Sequence, residues 1–470
     1  MKKRTFIKLC TAAATMPFEL PSFAAPEKLS NWAGNIEYST DNVATANSVA
    51  AVQDFARKHA SFKTLGTRHC FNRIADSKQQ LLTTDFSAEP PVIDTVTREL
   101  VRSPHVDGGT PTTVFKPVPT ITVGPGVRYG TIAPLLEAKG FALHNLASLP
   151  HISVAGAITT GTHGSGVKNG NLSTVVVALE IVNAAGDIVV LSRKADPDIF
   201  PGAVVGLGAL GVITNVTLII QPTYQIAQTV YENLSFNSLK DHFDQILSAA
   251  YSVSLFTDWQ NQRINEVWLK HRIDPAKPPV KQPQEFFGAT RATKNLHPIA
   301  ALSAENCTEQ MGVPGPWYDR LPHFKMGFTP SAGKELQSEY FVPHKNALDA
   351  ILAVEKLHEQ IGPHLMITEI RTIAADDLWM SPAYKQDSVA IHFTWKPEWP
   401  EVSKLLPIIE RELAPFNPRP HWGKLFAIPP AQLQSRYEKL AEFIALAKKF
   451  DPQGKFRNDF LNANIFGAAS

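Results

Sequence analysis

Residues Asn145–Gly166 read NLASLPHISVAGAITTGTHGSG, and the fold turns on how this stretch is understood. It holds four glycines, six serine or threonine hydroxyls and two histidines, with no Asp, Glu, Lys or Arg. Glycine lets backbone N–H groups approach an anion and reach positive φ. Hydroxyls add donors without adding charge. The run suits the pyrophosphate of a dinucleotide held by main chain rather than by lysines. A Gly/Ser loop without chemistry has the same composition, so context has to separate the two.

The chain has a second glycine run, Gly206–Gly211, which matches G-x-G-x-x-G by letter. A Rossmann fingerprint follows a strand and opens a helix. Here Val212–Ile220 follows, a β-branched run that reads as a strand, so the Rossmann reading fails. Around these runs the periodicity predicts a helix over 46–61, short strands at 62–65, 92–94 and 120–123, and a helix from Tyr129 to Lys139 that stops at Gly140. Val175–Leu191 reads as a hairpin, and the polar, proline-bearing residues 97–118 as a surface insertion. Beyond Gln221–Pro222 come predicted helices near 238–250 and 345–360, a Pro/Lys-rich loop at 274–283, and strands at 366–373 and 389–395. Short strands mixed with helices, without regular βαβ spacing, predict an α+β fold.

At 470 residues the chain exceeds one ordinary core, which favours two domains. Its 45 basic and 43 acidic residues leave a net charge of +2, so there is no electrostatic footprint for nucleic acid or a membrane surface. The first residues, MKKRTFIKLCTAAATMPFELPSFAAP, pair a basic start with a short apolar stretch and small residues. This is a signal-peptide pattern over 1–25, cut after Ala24 or Ala25, and it predicts a periplasmic or secreted protein. Lys3-Arg4-Thr5-Phe6-Ile7-Lys8 resembles a twin-arginine box with Lys in the first Arg position; an ordinary Sec signal is the alternative. Beyond Cys10, only Cys70 and Cys307 remain, enough for one disulfide or two free thiols.

Three further segments can carry chemistry. Leu65-Gly-Thr-Arg-His-Cys-Phe71 puts His69 on a glycine turn after a short strand, where a neutral imidazole could act as a nucleophile or merely as a structural cap. Glu369-Ile-Arg371 and His392-Phe-Thr394 each space two polar residues at i, i+2 within a predicted strand, so each pair shares a face. Adjacent strands would bring all four to one pocket; a solvated sheet face with a surface ion pair is the plainer reading. His421-Trp-Gly-Lys424 adds a His and a Lys beside Trp422, as pocket groups or as a surface cation–aromatic contact. No zinc signature, nucleophile elbow or phosphate-binding GK[S/T] loop is present, and no metal is expected.

Taken in order, these segments resemble the alditol oxidase family of the vanillyl-alcohol-oxidase superfamily of flavoproteins. The resemblance runs from about Asn31 to about Phe466. It includes Asn31–Asn35, the His69 turn, Asn145–Gly166, Tyr251–Trp259, Asn306–Gln310, Val313–Trp317, Glu369–Thr372, His392–Trp395 and His421–Lys424. The resemblance implies a PCMH-type FAD-binding domain over 31–220, a substrate-binding α+β domain with an antiparallel sheet over 221–418, and a segment 419–470 that returns to the first. It implies FAD joined to His69 through the flavin 8α carbon. Arg68 stands where the family turn, Gly-x-Gly-His, has glycine. Cofactor contacts are implied for Leu65, Gly66, Thr67, Arg68, Cys70, Phe71, Ser148, Ser153, Gly156, Thr160, Thr162, His163, Gly164, Ile213 and His421. Ser148, Glu369, Arg371, His392, Thr394 and Lys424 match the polyol-contacting residues, with Arg371, Lys424, Glu369 and His392 the catalytic candidates. The implied reaction oxidises a terminal polyol hydroxyl with O2 as acceptor, in a monomer. An aldonolactone oxidase or dehydrogenase is the neighbouring reading, and a redox-inactive polyol binder the distant one.

Overall fold

The computed structural model describes residues 28–86, 89–97, 101–102, 113–114, 118–276, 282–327 and 334–467. The expected signal peptide with Cys10, most of the insertion at 97–118 and part of the 274–283 loop lie outside the described residues.

Three sheets carry most of the strands. In the first, β1 (Val43–Ala46), β3 (Leu81–Thr84) and β2 (Lys63–Thr64) run parallel in the order β1-β3-β2. Helix α1 (Val49–Lys58) makes the crossover, and Ser48 caps it by accepting a hydrogen bond from the Ala51 N–H. Its buried positions Val52 and Ala56 pack with Phe62, Leu82 and Phe456. The second sheet is antiparallel, in the order β10-β9-β11-β7-β4, with β4 (Val92–Thr97), β7 (Val118–Val123), β9 (Val176–Val182), β10 (Ile188–Ser192) and β11 (Val212–Ile219). The hairpin expected at 175–191 is β9–β10, turned at Gly186 with φ +83°. The Gly206–Gly211 run follows helix α4 (Phe200–Val204) and leads into β11, the reverse of a Rossmann context. Two-residue ladders pair β5 (Val101–Arg102) with β6 (Thr113–Val114) and β8 (Phe141–Ala142) with β12 (Gln221–Pro222). Helix α2 (Tyr129–Ala138) precedes the quoted stretch, and the short α3 (Val154–Thr159) lies within it.

The third sheet has ten strands, all antiparallel. Its path runs β16 (Glu285–Phe286), β17 (Ala289–Arg291), β13 (Gln225–Ser235), β15 (Arg263–Ile273), β14 (Ser252–Thr257), β20 (Leu365–Ile373), β21 (Ser388–Trp395), β19 (Leu336–Pro343) and β22 (Arg419–Pro420), with β18 (Gly315–Pro316) against β13. The helix expected near 238–250 is two, α5 (Phe236–Asp241) and α6 (Phe243–Leu247), broken at His242, whose φ of −131° leaves the helical range. The one near 345–360 is likewise α7 (Ala347–Glu355) and α8 (His358–Ile361). Helix α7 packs on β19 and β21 and against α9 (Trp399–Leu413). Strand periodicity divides the sheet's two faces. Ile370, Ile391 and Phe393 enter the core, while Glu369, Arg371, His392 and Thr394 line a cavity.

After β22 the chain runs back over the first two sheets through α10 (Pro430–Gln434) and α11 (Leu440–Phe450). Ala184 N–H donates to Phe450 O at 3.1 Å, and Phe62 N–H to Lys455 O at 3.1 Å. Cys70 and Cys307 are free thiols. Among the described residues no helix is long and apolar enough to cross a membrane.

Candidate active site

A cavity of about 460 Å³ separates a wall of loops from a wall of sheet. The loop wall comprises residues 64–71, most of 147–163, and the turn at His421, from which the Lys424 side chain reaches across to the sheet wall. These pieces interlock through their backbones. Phe71 N–H donates to Gly423 O at 2.7 Å, and the Asn72 amide donates to Trp422 O and Lys424 O at 2.8 and 2.7 Å. Ser153 N–H donates to Thr67 Oγ1 at 3.3 Å. A Cβ on Gly66 would come within 3.0 Å of Ser153 Oγ, so a larger residue there would force that side chain to move. Asn145–Gly166 is anchored at both ends to strand β20. Its Ser148 Oγ accepts from Arg371 Nη1 at 3.1 Å, and its Gly166 N–H donates to Thr372 O at 2.9 Å.

His69 lies in the middle of the loop wall. Its ring stacks on Trp32 with centroids 5.2 Å apart, and its Nδ1 is buried without a hydrogen-bond partner among the described residues. Burial, then the neighbouring His151, brings its pKa down to about 4, so the imidazole is neutral and keeps a lone pair. An orphaned buried nitrogen on the wall of a cavity is a position for a missing partner. The preceding Arg68 adopts φ +62°, the left-handed region that glycine enters freely, and its Nη1 donates to Ser30 O at 3.0 Å.

The sheet wall is built from register. Across β19, β21 and β20, Glu339, His392 and Glu369 stand in one row. Glu339 is fully buried. Its Oε1 accepts from His163 Nε2 at 3.1 Å and from Arg371 Nη2 at 3.2 Å, and its Oε2 from Lys424 Nζ at 2.7 Å. Lys424 also donates to His392 Nδ1 at 2.8 Å, and the other His392 nitrogen pairs with Thr394 Oγ1 at 3.0 Å. Glu369 Oε1 accepts from His323 Nε2 at 2.6 Å and lies 3.4 Å from Arg371 Nε, without hydrogen-bond geometry to the latter.

Two carboxylates, a guanidinium and an ammonium thus share a nearly dry site. Burial pushes the Glu339 and Glu369 carboxyls up, but the facing cations win. Lys424, with His163 and Arg371, holds Glu339 well below the carboxylate range, and Arg371 with His323 does the same for Glu369. Burial, then Lys424, lowers the His392 pKa to about 3, so this ring is neutral at physiological pH. Burial also lowers Lys424 below its ordinary value against the pull of Glu339.

The cavity collects Leu65, Gly66, Thr67, Arg68, His69, Cys70, Phe71, Ser148, Ser153, Gly156, Thr160, Thr162, His163, Glu369, Arg371, His392, Thr394, His421 and Lys424. It does not collect Gly164 or Ile213. Gly164 faces Asn145 Oδ1 and Leu146 O, where a Cβ would clash, so this glycine serves the internal packing of the loop. Ile213 sits in β11 opposite Ile181, beside a bulge. Trp422 makes no surface contact: it is fully buried and donates to Met380 O at 2.7 Å. Glu369 and Arg371 are buried too, not a solvated pair. Glu339 is the residue the sequence reading missed. The alternation Glu335-Leu-Gln337-Ser-Glu339 was its signal, the same i, i+2 pattern as Glu369–Arg371, and Glu335, Gln337 and Glu339 all line the cavity.

Comparison with known proteins gives the site a context. Residues 116–192 match the FAD binding domain family, and residues 329–464 the D-arabinono-1,4-lactone oxidase family. An alditol oxidase from Streptomyces sp. (strain IKD472 / FERM P-14339) is 43% identical over 442 residues, covering 93% of this chain and 99% of the relative. The chain belongs to the alditol oxidase family. An L-gulono-1,4-lactone dehydrogenase from Mycobacterium tuberculosis (strain ATCC 25618 / H37Rv) stands further from this alditol oxidase family member, at 26% identity over 92% of the chain and 97% of the relative. Cholesterol oxidase from B. sterolicum shares the fold, with a TM-score of 0.69 at 16% identity over 97% of this chain and 100% of that one. The architecture is therefore the vanillyl-alcohol-oxidase-like one, with a PCMH-type FAD-binding region, and the cofactor is FAD. The loop wall fits it: hydroxyls and backbone without lysines, glycines at close approach, and an orphaned imidazole.

Proposed function

We propose that the protein oxidises the terminal C1 hydroxyl of alditols such as xylitol and sorbitol to the aldose, with O2 taking up two electrons and two protons to form H2O2. The observation that carries this reading is the convergence of Arg371, Lys424, Glu369, His392 and Thr394, with Ser148 of the loop wall, on one cavity whose loop wall has Arg68 as its one charged residue. When bound, FAD would supply the redox chemistry needed to remove a hydride from the substrate carbon. Arg371 and Lys424 stabilise negative charge developing on the reacting oxygen, an effect worth several kcal/mol in a water-poor site. Glu369 accepts hydrogen bonds from the first hydroxyls and fixes the reacting carbon. Ser148, His392 and Thr394 bind hydroxyls further along the polyol. The His392 lone pair at Nδ1 is taken up by Lys424. As an ammonium that already donates to Glu339 and His392, Lys424 has no lone pair either, so the hydroxyl proton passes to water.

His69 holds FAD covalently through its neutral imidazole. His69→Ala is expected to release flavin on acid denaturation; flavin retained with the denatured variant would refute the tether. Residues 31–220 form the cofactor domain, 221–418 the substrate domain, and 419–470 returns to the first. The N-terminal signal directs export, and the chain works as a monomer. A lactone-oxidising reading draws on the match of residues 329–464 to a lactone oxidase family. H2O2 formation on xylitol, sorbitol and L-gulono-1,4-lactone separates the two. Oxygen uptake compared with dye reduction then fixes the electron acceptor.

A further inference from the structure

Beside Glu369 lies a buried pair with no part in the chemistry above, His323 at the edge of the cavity and Lys270 behind it. His323 is 4% exposed and Lys270 is 1% exposed. His323 Nε2 lies 2.6 Å from Glu369 Oε1, and Lys270 Nζ lies 3.1 Å from His323 Nδ1. The Glu369 carboxylate can only accept, and the buried His323 ring is neutral, so the ring proton sits on Nε2, aimed at Glu369, and Nδ1 is the acceptor toward Lys270. Lys270 is itself pinned by Leu321 O and by Pro322 O at 3.3 Å. The His323 ring is wedged edge-on between Trp268 and Phe256, with centroids 5.1 and 5.5 Å away. Its backbone N–H donates to Ser148 O at 3.1 Å, so one residue ties down both Glu369 on the sheet wall and Ser148 on the loop wall.

We infer that His323, oriented by Lys270, is a positioning residue that fixes which oxygen of Glu369 meets the polyol. The inference rests on the polyol-oxidase reading above. With Oε1 occupied by His323, Oε2 is left to accept substrate hydroxyls. Without that donor, Glu369 is free to turn both oxygens to Arg371 in the bidentate arrangement guanidinium favours. That movement would withdraw the carboxylate from the substrate and draw Arg371 from the reacting oxygen. Lys270 and its partners form a closed buried cluster, so the pair orients a carboxylate and does not conduct protons. Leu321–Phe324 has no periodicity to mark it in the sequence.

The test is anaerobic rapid mixing of the flavin-loaded protein with xylitol, following the limiting rate of flavin reduction. His323→Ala is expected to slow it about a hundredfold, the cost of a displaced reacting group, and Lys270→Met about tenfold although Lys270 never touches substrate. His323→Gln, whose amide can still donate to Glu369, should recover most of the rate. In a Glu369→Gln background, His323→Ala should cost less than about threefold more, because the two act as one unit. Normal reduction in His323→Ala, no recovery in His323→Gln, or fully additive losses would overturn the inference. Should His323→Ala fail to fold, a normal rate in Lys270→Met overturns it equally. A wild-type protein that xylitol does not reduce would instead refute the polyol reading itself.

Discussion

The two walls of the cavity solve different problems with different material. The loop wall is irregular, almost free of charge, and made of backbone held in place by glycines and by two residues at positive φ, Arg68 at +62° and Gly161 at +68°. The sheet wall is regular and dense in charge, and each charged group already has a partner there: Glu339 with Arg371 and Lys424, and Glu369 with His323. Backbone donors suit a large anionic cofactor that must be enclosed without fixing its charge. A β register suits a small, flexible polyol whose hydroxyls need donors and acceptors at set intervals. The contrast predicts that damage to the sheet wall acts through electrostatics, and damage to the loop wall through shape.

The largest effect should follow loss of the shared anion. Glu339→Gln leaves Arg371 and Lys424 buried without a full counter-charge, and denaturant titration should show a loss of about 3–5 kcal/mol. A loss below about 1 kcal/mol would mean that the wall does not depend on that pairing. Next, Arg371→Ala should lower kcat on xylitol at least about a hundredfold, the scale of removing one oxyanion donor. An effect confined to KM would reduce Arg371 to a binding group.

Acid should weaken the sheet wall in a defined window. Burial lowers the folded-state pKa values of His323 and His392 from 6.5 to about 4 and about 3. The unfolded chain therefore binds more protons than the folded one below pH 6.5, and stability falls as the pH drops toward those values. Glu339 and Glu369, held below their ordinary 4.5, add a loss that begins as the pH falls past 4.5 toward their folded values. Denaturation midpoints measured from neutral pH downward should decline, and His392→Asn should flatten the decline. A flat wild-type profile would contradict these directions. The smallest effect belongs to the loop wall. Arg68→Gly relieves a left-handed backbone that costs about 1 kcal/mol, offset in part by the lost bond to Ser30 O. Melting should shift little, with flavin content unchanged; lost flavin would give Arg68 a cofactor role beyond shape.

What could be read before the structure divides along the same line. Glu369, Arg371, His392 and Thr394 were legible because a strand's two-residue period puts alternate side chains on one face, and those faces do meet in one cavity. Glu339 carried the same period but was overlooked, because an acidic residue beside Gln337 and Ser338 reads equally well as a solvated edge. The composition of the quoted loop suited a dinucleotide and a plain Gly/Ser loop equally, and the family resemblance separated the two. Its anchoring was not legible, since Arg371 to Ser148 and Thr372 to Gly166 span more than two hundred residues. Gly164 shows the limit of a glycine-rich reading: it is required by Asn145 packing inside the loop, and it does not line the cavity. His323 and Lys270 had no signal, because one lies in an aperiodic turn and the other at a strand position whose burial only the assembled sheet decides.

The central claim is that this cavity presents a polyol to FAD. Anaerobic addition of xylitol to the flavin-loaded protein tests it most directly, with the flavin absorbance followed before and after air is admitted. The account predicts bleaching by xylitol or sorbitol and recovery of colour with oxygen, in a variant-sensitive way that Arg371→Ala suppresses. Flavin that stays oxidised with every polyol but bleaches with L-gulono-1,4-lactone would contradict it.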